Sequence, residues 1–152
     1  MSDLHRQTKQ YARIFDQQLA FYEGYARRHG LQSKGLYMLM WIYYNPQGIT
    51  QKRISEKTYA SKQVVNATIK KFIEKGYLTC KENPQDKRHK LLTLTEAGRS
   101  YASAILDPLE ALEMKAMQAL SDEEQTLFLQ LSERYSQSIT ALFLKEEGGI
   151  YD

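Results

Sequence analysis

The sequence predicts a mainly α-helical fold carrying one small β-hairpin, on three observations. Apolar residues recur at three- and four-residue steps through long stretches at both ends of the chain, the repeat of helices that bury one face. In the middle, two short segments each follow a hydroxyl residue suited to capping a helix, Thr50 and Ser61. After Gly76 the period changes from helical to alternating, in two short apolar runs separated by a polar loop.

From the N-terminus, Leu4, Tyr11, Phe15, Leu19, Tyr22 and Ala26 fall at steps of 7, 4, 4, 3 and 4, one face of a long helix that Gly30 stops. Ser33 is expected to cap a second, short helix with the stripe Leu36, Leu39, Met40 and Tyr43, interrupted by Asn45 and Pro46. Thr50 caps a third, basic helix, QKRISEKT, anchored by Ile54, and Ser61 caps a fourth running to about Lys75 before Gly76. In YLTCKE, Leu78 and Cys80 share one side, as do Leu92 and Leu94 in KLLTL, so Cys80 is expected to face inward in a packing role. The intervening NPQDKRHK forms the polar, basic tip of a hairpin too small to be stable unless packed on the helices. Thr95 caps the next helix, with stripe Tyr101, Ile105, Leu109 and Leu112 and a candidate bend at Pro108. Ser121 and Glu124 make a capping box for a final helix with stripe Leu127, Leu131, Tyr135, Ser138 and Leu142, and residues 146–152 are expected to fray.

At 152 residues, with 42% hydrophobic and 26% charged residues, the chain is long and apolar enough for one buried core, which excludes a disordered or collagen-like chain. Cys80 is the only cysteine, so no intramolecular disulfide forms, and with His5, His29 and His89 it shows no metal-ligand spacing; neither metal nor cofactor is expected. No run of about 18 apolar residues predicts a membrane span, and MSDLHRQTKQ has no apolar signal core, so a cytoplasmic location is expected. No Ser-His-Asp, Cys-His or paired-carboxylate arrangement follows from the spacing, so catalysis is not expected. The net charge of +3 conceals an asymmetry: residues 1–49 carry +3, residues 50–90 carry +7 and residues 91–152 carry −7. The middle segment is therefore a candidate anion-binding region.

Four helices, a hairpin and two helices make the order of a winged helix-turn-helix with flanking helices, the hairpin being the wing. Asp86-Lys87-Arg88-His89-Lys90-Leu91-Leu92-Thr93-Leu94-Thr95-Glu96-Ala97-Gly98 resembles the D-x-R-x-x-x-L-x-L-T-x-x-G signature of the multiple-antibiotic-resistance regulator (MarR) family, and ASKQVVNATIKKFIEKGYL resembles its recognition helix. Residues 1–152 are expected to form a single unit, with a winged helix-turn-helix region at 33–95 and dimerisation helices at 1–30 and 96–145. Long amphipathic helices flanking so small a centre cannot all bury their stripes within one chain, so a homodimer is expected. Two departures from the family pattern stand out. Tyr59 occupies a turn where relatives often have glycine, and Thr58 and Thr68 stand where larger aliphatic residues are common.

At about 100° per residue, Val65, Ile69, Phe72 and Ile73 cluster on the inner face of the fourth helix, whereas Gln63, Ala67, Lys70 and Glu74 lie opposite. The outward face suits entry into the major groove of double-stranded DNA. Gln63 and Asn66 are candidates to read adenine by paired hydrogen bonds, and Val64 to touch a thymine methyl. Ala67 permits close approach, and Lys62, Lys70 and Lys71 are phosphate candidates. In the wing, Arg88 is the minor-groove candidate, with Lys87, His89 and Lys90 neutralising the backbone and Asp86 holding the hairpin in shape. The resemblance implies a transcriptional regulator, a repressor on a pseudo-palindromic operator, released by a small-molecule or stress signal. Tyr11, Tyr22, Tyr25, Tyr37, Trp41, Tyr43 and Tyr44 are numerous enough to line an effector pocket, although stripes at helical spacing more often pack the interior. A winged-helix module that binds an acidic protein surface instead of DNA is the alternative.

Overall fold

The computed structural model describes residues 2–147. Its elements are α1 (Asp3–Arg28), α2 (Ser33–Tyr43), α3 (Gln51–Thr58), α4 (Lys62–Glu74), β1 (Leu78–Lys81), β2 (Leu91–Leu94), α5 (Glu96–Gln118) and α6 (Asp122–Glu147). The fold is thus mainly helical with one antiparallel two-stranded sheet, as the sequence predicts.

Local chemistry sets most of the boundaries. Ser2 caps α1 by accepting the His5 N–H, Asp3 lies in the first turn, and Arg27 and Arg28 lie in the last, the charge order that complements the helix dipole. Gly30 then adopts a φ of +71°, which lets the chain reverse. Thr50 and Ser61 cap α3 and α4 through their hydroxyls, which accept the N–H groups of Arg53 and Val64. Ser33, in contrast, is the first helical residue of α2, and the capping position falls to Gln32, which makes no side-chain cap.

The apolar pattern of α2 also differs from the expected stripe. Leu36, Met38, Leu39 and Ile42 are buried, whereas Met40 and Tyr43 are only half-buried. The reason is position: α2 packs against α1, α3 and β2 and is covered on more than one side, so a single amphipathic stripe does not describe it.

In the hairpin, Leu78 pairs with Leu94, Thr79 with Thr93, Cys80 with Leu92 and Lys81 with Leu91. Ile49 adds a bridge to the outer side of β2 through paired backbone hydrogen bonds with Leu92, at 2.8 and 3.1 Å. Strand β2 is therefore the inner strand, and both Leu92 and Thr93 are buried, while Leu94 is half-buried. Cys80 is exposed, which corrects the inward packing role expected for it. It lies on the outer strand two residues nearer the hairpin tip than buried Leu78, beyond the part of β1 that the helices cover.

The chain divides into two compact units, residues 1–105 and 106–152, with the boundary inside α5. The first turns of α5 belong to the first unit because they are fastened to it. Thr95 donates its hydroxyl to the carbonyl of Gly76 at 2.6 Å and accepts the Gly98 N–H at 2.9 Å. The Tyr77 and Tyr101 rings stack at 4.2 Å, and the Tyr25 hydroxyl donates to the carbonyl of Ile105 at 2.5 Å. Burial, and then the neighbouring Tyr77 hydroxyl, raise the Tyr101 pKa, and burial raises that of Tyr25.

Helix α5 continues through Pro108 as one helix, and Leu112, expected in its buried stripe, is exposed. In the second unit, Ser121 and Glu124 form the expected reciprocal cap: the Ser121 N–H donates to Glu124 Oε1 at 2.8 Å, and the Glu124 N–H to Ser121 Oγ at 3.2 Å. The bond from the Ser121 N–H, then that to its side chain, holds the Glu124 carboxyl below its ordinary pKa. The α6 stripe is not buried: Leu127, Leu131, Tyr135 and Leu142 are all exposed. Helix α6 runs through Glu147, so residues 146 and 147 are helical, and the rest of the expected frayed segment, 148–152, lies outside the described residues.

Candidate nucleic-acid interface

Helices α3 and α4 are joined by Tyr59, Ala60 and Ser61. Tyr59 ends α3 in the left-handed conformation, φ 57° and ψ 21°, the one non-glycine residue of positive φ among those described, and its side chain is 65% exposed. Ala60 is buried, and its carbonyl accepts the Ser55 hydroxyl at 2.7 Å, which fixes the turn from the α3 side. Buried Thr58 donates its hydroxyl to the Ile54 carbonyl at 2.7 Å, and Thr68 does the same to Val64 at 2.9 Å. Both threonines thus satisfy their polar atoms within their own helix, which is how they stand at positions of an otherwise aliphatic kind.

Helix α4 is anchored by Val65, Ile69 and Phe72, all at most 3% exposed. Ile73, expected on that face, is 41% exposed because it lies about 100° around the helix from Phe72, at the margin of the buried face. Lys62, Gln63, Val64, Asn66, Ala67, Lys70 and Lys71 are all exposed; Gln63, Ala67 and Lys70 lie opposite the buried face of α4, and Val64, Asn66 and Lys71 flank them. Asn66 is held there: Gln51, at the start of α3, donates from Nε2 to Asn66 Oδ1 at 2.8 Å. Sequence reasoning missed Gln51. Its only signal was its place one residue after the Thr50 cap, which says nothing about the partner across the turn.

In the wing, Lys87, Arg88, His89 and Lys90 are exposed and Asp86 is half-buried. Asp86 organises the tip by accepting three bonds. Its Oδ2 lies 2.9 Å from His89 Nδ1, and its Oδ1 accepts the Arg88 N–H at 3.1 Å and Arg88 Nε at 3.4 Å. The side-chain bond to His89, then the backbone N–H of Arg88, lower the Asp86 pKa to about 2. The long Arg88 contact leaves its side chain 87% exposed, so pairing with Asp86 does not withdraw the guanidinium from solvent.

A third feature lies beside α3. Trp41, Asn45, Gly48, Ile49, Thr50, Arg53, Lys57 and Leu91 line an open hollow of about 420 Å³, with Lys57 Nζ 5.2 Å from the Trp41 ring centre. Of the other aromatic residues considered for an effector pocket, Tyr22 packs against Tyr37 and Tyr25 against Phe21 and His29. No group of three His, Cys, Asp or Glu residues suited to a metal occurs among the described residues, and no helix there is long and apolar enough to cross a membrane.

Residues 29–89, which contain the capped helix pair and most of the wing, match the family model described as the MarR family. Over those residues the chain is therefore similar to the MarR family. It is 30% identical over 79 residues to the uncharacterized HTH-type transcriptional regulator YdcH of Bacillus subtilis (strain 168), an alignment that covers 52% of this chain and 54% of that protein. The chain thus spans about half the length of that curated relative. Its fold is that of NMB1585, a MarR family regulator from Neisseria meningitidis, with a TM-score of 0.77 at 21% identity over 93% of this chain and 99% of the other. It is also that of Streptococcus pneumoniae FabT in complex with DNA, with a TM-score of 0.71 at 21% identity over 92% and 99% of the two chains.

The MarR-family signature acquires a physical reason at its last residue. A Cβ on Gly98 would lie 2.8 Å from the Tyr77 carbonyl carbon and 2.9 Å from its Cα, and nearer still to the carbonyl oxygen. Only glycine lets α5 approach the base of the wing so closely.

Proposed function

We propose that the protein binds double-stranded DNA sequence-specifically as a homodimer and represses transcription from a pseudo-palindromic operator. The observation that carries this reading is the outward surface of α4, where basic and amide side chains stand exposed on a helix whose opposite side is buried. Gln63 and Asn66 read base edges, Val64 meets a thymine methyl, and Ala67 lets the helix sit close to the groove floor. Lys62, Lys70 and Lys71 bind phosphates. Arg88 enters the minor groove, Lys87, His89 and Lys90 neutralise the flanking backbone, and Asp86 keeps the tip in the shape that presents them. The +7 charge of residues 50–90 concentrates the attraction on this surface. That FabT is found in complex with DNA supports the reading.

The dimer is supported by apolar surface that one chain leaves uncovered. Helix α6 exposes Leu127, Phe128, Leu131, Tyr135, Ile139 and Leu142, and α1 exposes Leu4, Ile14, Phe15 and Phe21. Monomers rarely leave apolar surface of this extent open. A twofold dimer places the two recognition helices about one DNA turn apart. Release by a small-molecule or stress signal acts through the spacing of the two wings, and the protein works in the cytoplasm.

Selection of genomic fragments with purified protein, then affinity for the enriched site and for scrambled DNA across a salt series, tests the proposal. A palindromic site bound on the order of 10³-fold more tightly than scrambled DNA, with affinity falling as salt rises, is expected. No enrichment, with weak salt-sensitive binding only, favours a protein-interaction module instead.

A further inference from the structure

We propose that His89 meets the DNA backbone only as its imidazolium, so that binding takes up a proton at the wing, an inference that rests on the DNA-binding reading above. Asp86 and His89 stand three residues apart at the hairpin tip, with Asp86 Oδ2 2.9 Å from His89 Nδ1. With its pKa lowered to about 2, first by the His89 bond and then by the Arg88 N–H, Asp86 is a carboxylate wherever histidine changes charge, and a carboxylate only accepts. Nδ1 therefore carries the hydrogen of this contact in both charge states of the ring. A neutral imidazole has a single N–H. Once that N–H is committed to Asp86, Nε2 on the far side of the ring is a bare acceptor.

A bare nitrogen lone pair repels a phosphate oxygen, which also only accepts. Protonation at Nε2 turns that atom into a donor and adds one positive charge, the form that makes a charge-assisted bond to phosphate. The His89 side chain is 44% exposed and lies between Arg88 and Lys90 in the chain, so the added charge falls among cations already presented at the tip. The remaining charged groups there are Lys87 and, at the end of the facing strand, Lys81 and Glu82. Of the helices packed on the strands, α2 carries Lys34, which donates to the Thr58 carbonyl, and α4 carries Lys62, Lys70, Lys71 and Glu74. Helix α5, at the base of the wing, begins with Glu96 and Arg99. Histidine is the one side-chain type in this set whose charge changes between about pH 5 and 8. DNA and the proton therefore promote each other's binding, and affinity falls as pH rises through the range in which imidazole loses its charge.

The experiment uses the full chain, the operator found by selection and a scrambled duplex, with affinity measured at fixed ionic strength from about pH 6 to about pH 8. Wild type is expected to lose about 10-fold in affinity across that range, and its slope of log affinity against log salt to become shallower by about 1. His89→Gln cannot take up the proton and holds the weaker affinity at every pH. His89→Arg is charged throughout and holds the tighter affinity at every pH. The other histidines, His5 in α1 and His29 at its C-cap, lie off the wing, and replacing both by glutamine leaves the wild-type pH profile in place. Nitrogen-15 NMR of the free protein at about pH 8 reads the tautomer directly, with Nδ1 of His89 protonated and Nε2 bare. Thermal unfolding of each variant within about two degrees of wild type at both ends of the range separates binding from folding. A flat wild-type profile, a pH dependence that survives in His89→Gln, or a neutral His89 protonated at Nε2 overturns the inference and leaves DNA binding intact. A wild-type protein that binds neither duplex at any pH overturns both.

Discussion

Gly98→Ala puts two effects of opposite sign into one methyl group. Gly98 lies in the first turn of α5, and replacing glycine by alanine within a helix ordinarily stabilises it by about 1 kcal/mol. Here the added Cβ would stand 2.8 Å from the carbonyl carbon of Tyr77 and nearer still to its oxygen, whereas carbon atoms rest about 3.5 Å apart or more, so the two backbones must separate by at least about 0.7 Å. The neighbour is backbone and cannot rotate away. The Tyr77 carbonyl accepts the Thr95 N–H at 3.0 Å, and the Tyr77 N–H donates to the Phe72 carbonyl at 2.9 Å, so separation strains the joint between α4, the wing and α5. Overpacking of this kind costs about 1–3 kcal/mol, and weakening the Thr95 bond adds about 1 kcal/mol. The net expectation is a loss of about 2 kcal/mol, or roughly 4–8 °C in Tm for a chain of this size. Thermal and urea unfolding followed by circular dichroism measures it. A Tm at or above that of the wild type would refute the close approach, since helix propensity alone predicts a rise.

Further expectations follow from the wing and the turn. Arg88→Ala weakens binding to every DNA sequence and reduces the slope of log affinity against log salt by about 1, whereas Gln63→Ala relaxes preference at particular base pairs; uniform effects from both variants would contradict this division of roles. The Asp86 carboxyl is ionised above its ordinary value of 3.8 and stays so until pH falls through about 2. Its contribution to the wing is therefore present above about pH 4 and lost between there and pH 2. The side-chain carboxyl carbon shift in an NMR titration reads this directly, and a midpoint near 4 would contradict the bonding seen at the tip. Tyr59→Asn relieves the left-handed conformation and should raise stability by about 0.5–1 kcal/mol in urea unfolding, a fall indicating that the ring makes a contact worth more than the strain.

The sequence was most informative where one residue acts on its immediate neighbours. Thr50, Ser61 and the Ser121–Glu124 box cap the helices they precede because an N-terminal cap needs only a side chain and the next three N–H groups. The hairpin was equally legible, since the change of period at Gly76 and the polar tip lie within one short segment. Properties set by distant chain were not. Exposed Cys80 and buried Thr93 depend on how far the helices cover the sheet and on Ile49 bridging β2, which alternation alone does not contain. The unit boundary inside α5 comes from Tyr25 and Tyr77 reaching across long stretches of sequence. For the candidate site, helical periodicity placed Gln63, Ala67 and Lys70 opposite the buried face, but the Gln51 bond to Asn66 spans two helices and has no periodic signature.

The central claim is that two copies of this chain read two half-sites on one face of the duplex, and inserting five base pairs between the half-sites of the selected operator tests it most directly. The insertion turns the second half-site to the opposite face of the DNA while leaving both sequences intact. The account predicts that affinity falls at least about 100-fold, toward the level for scrambled DNA. Unchanged affinity would contradict it, because each half-site would then be bound by an independent module.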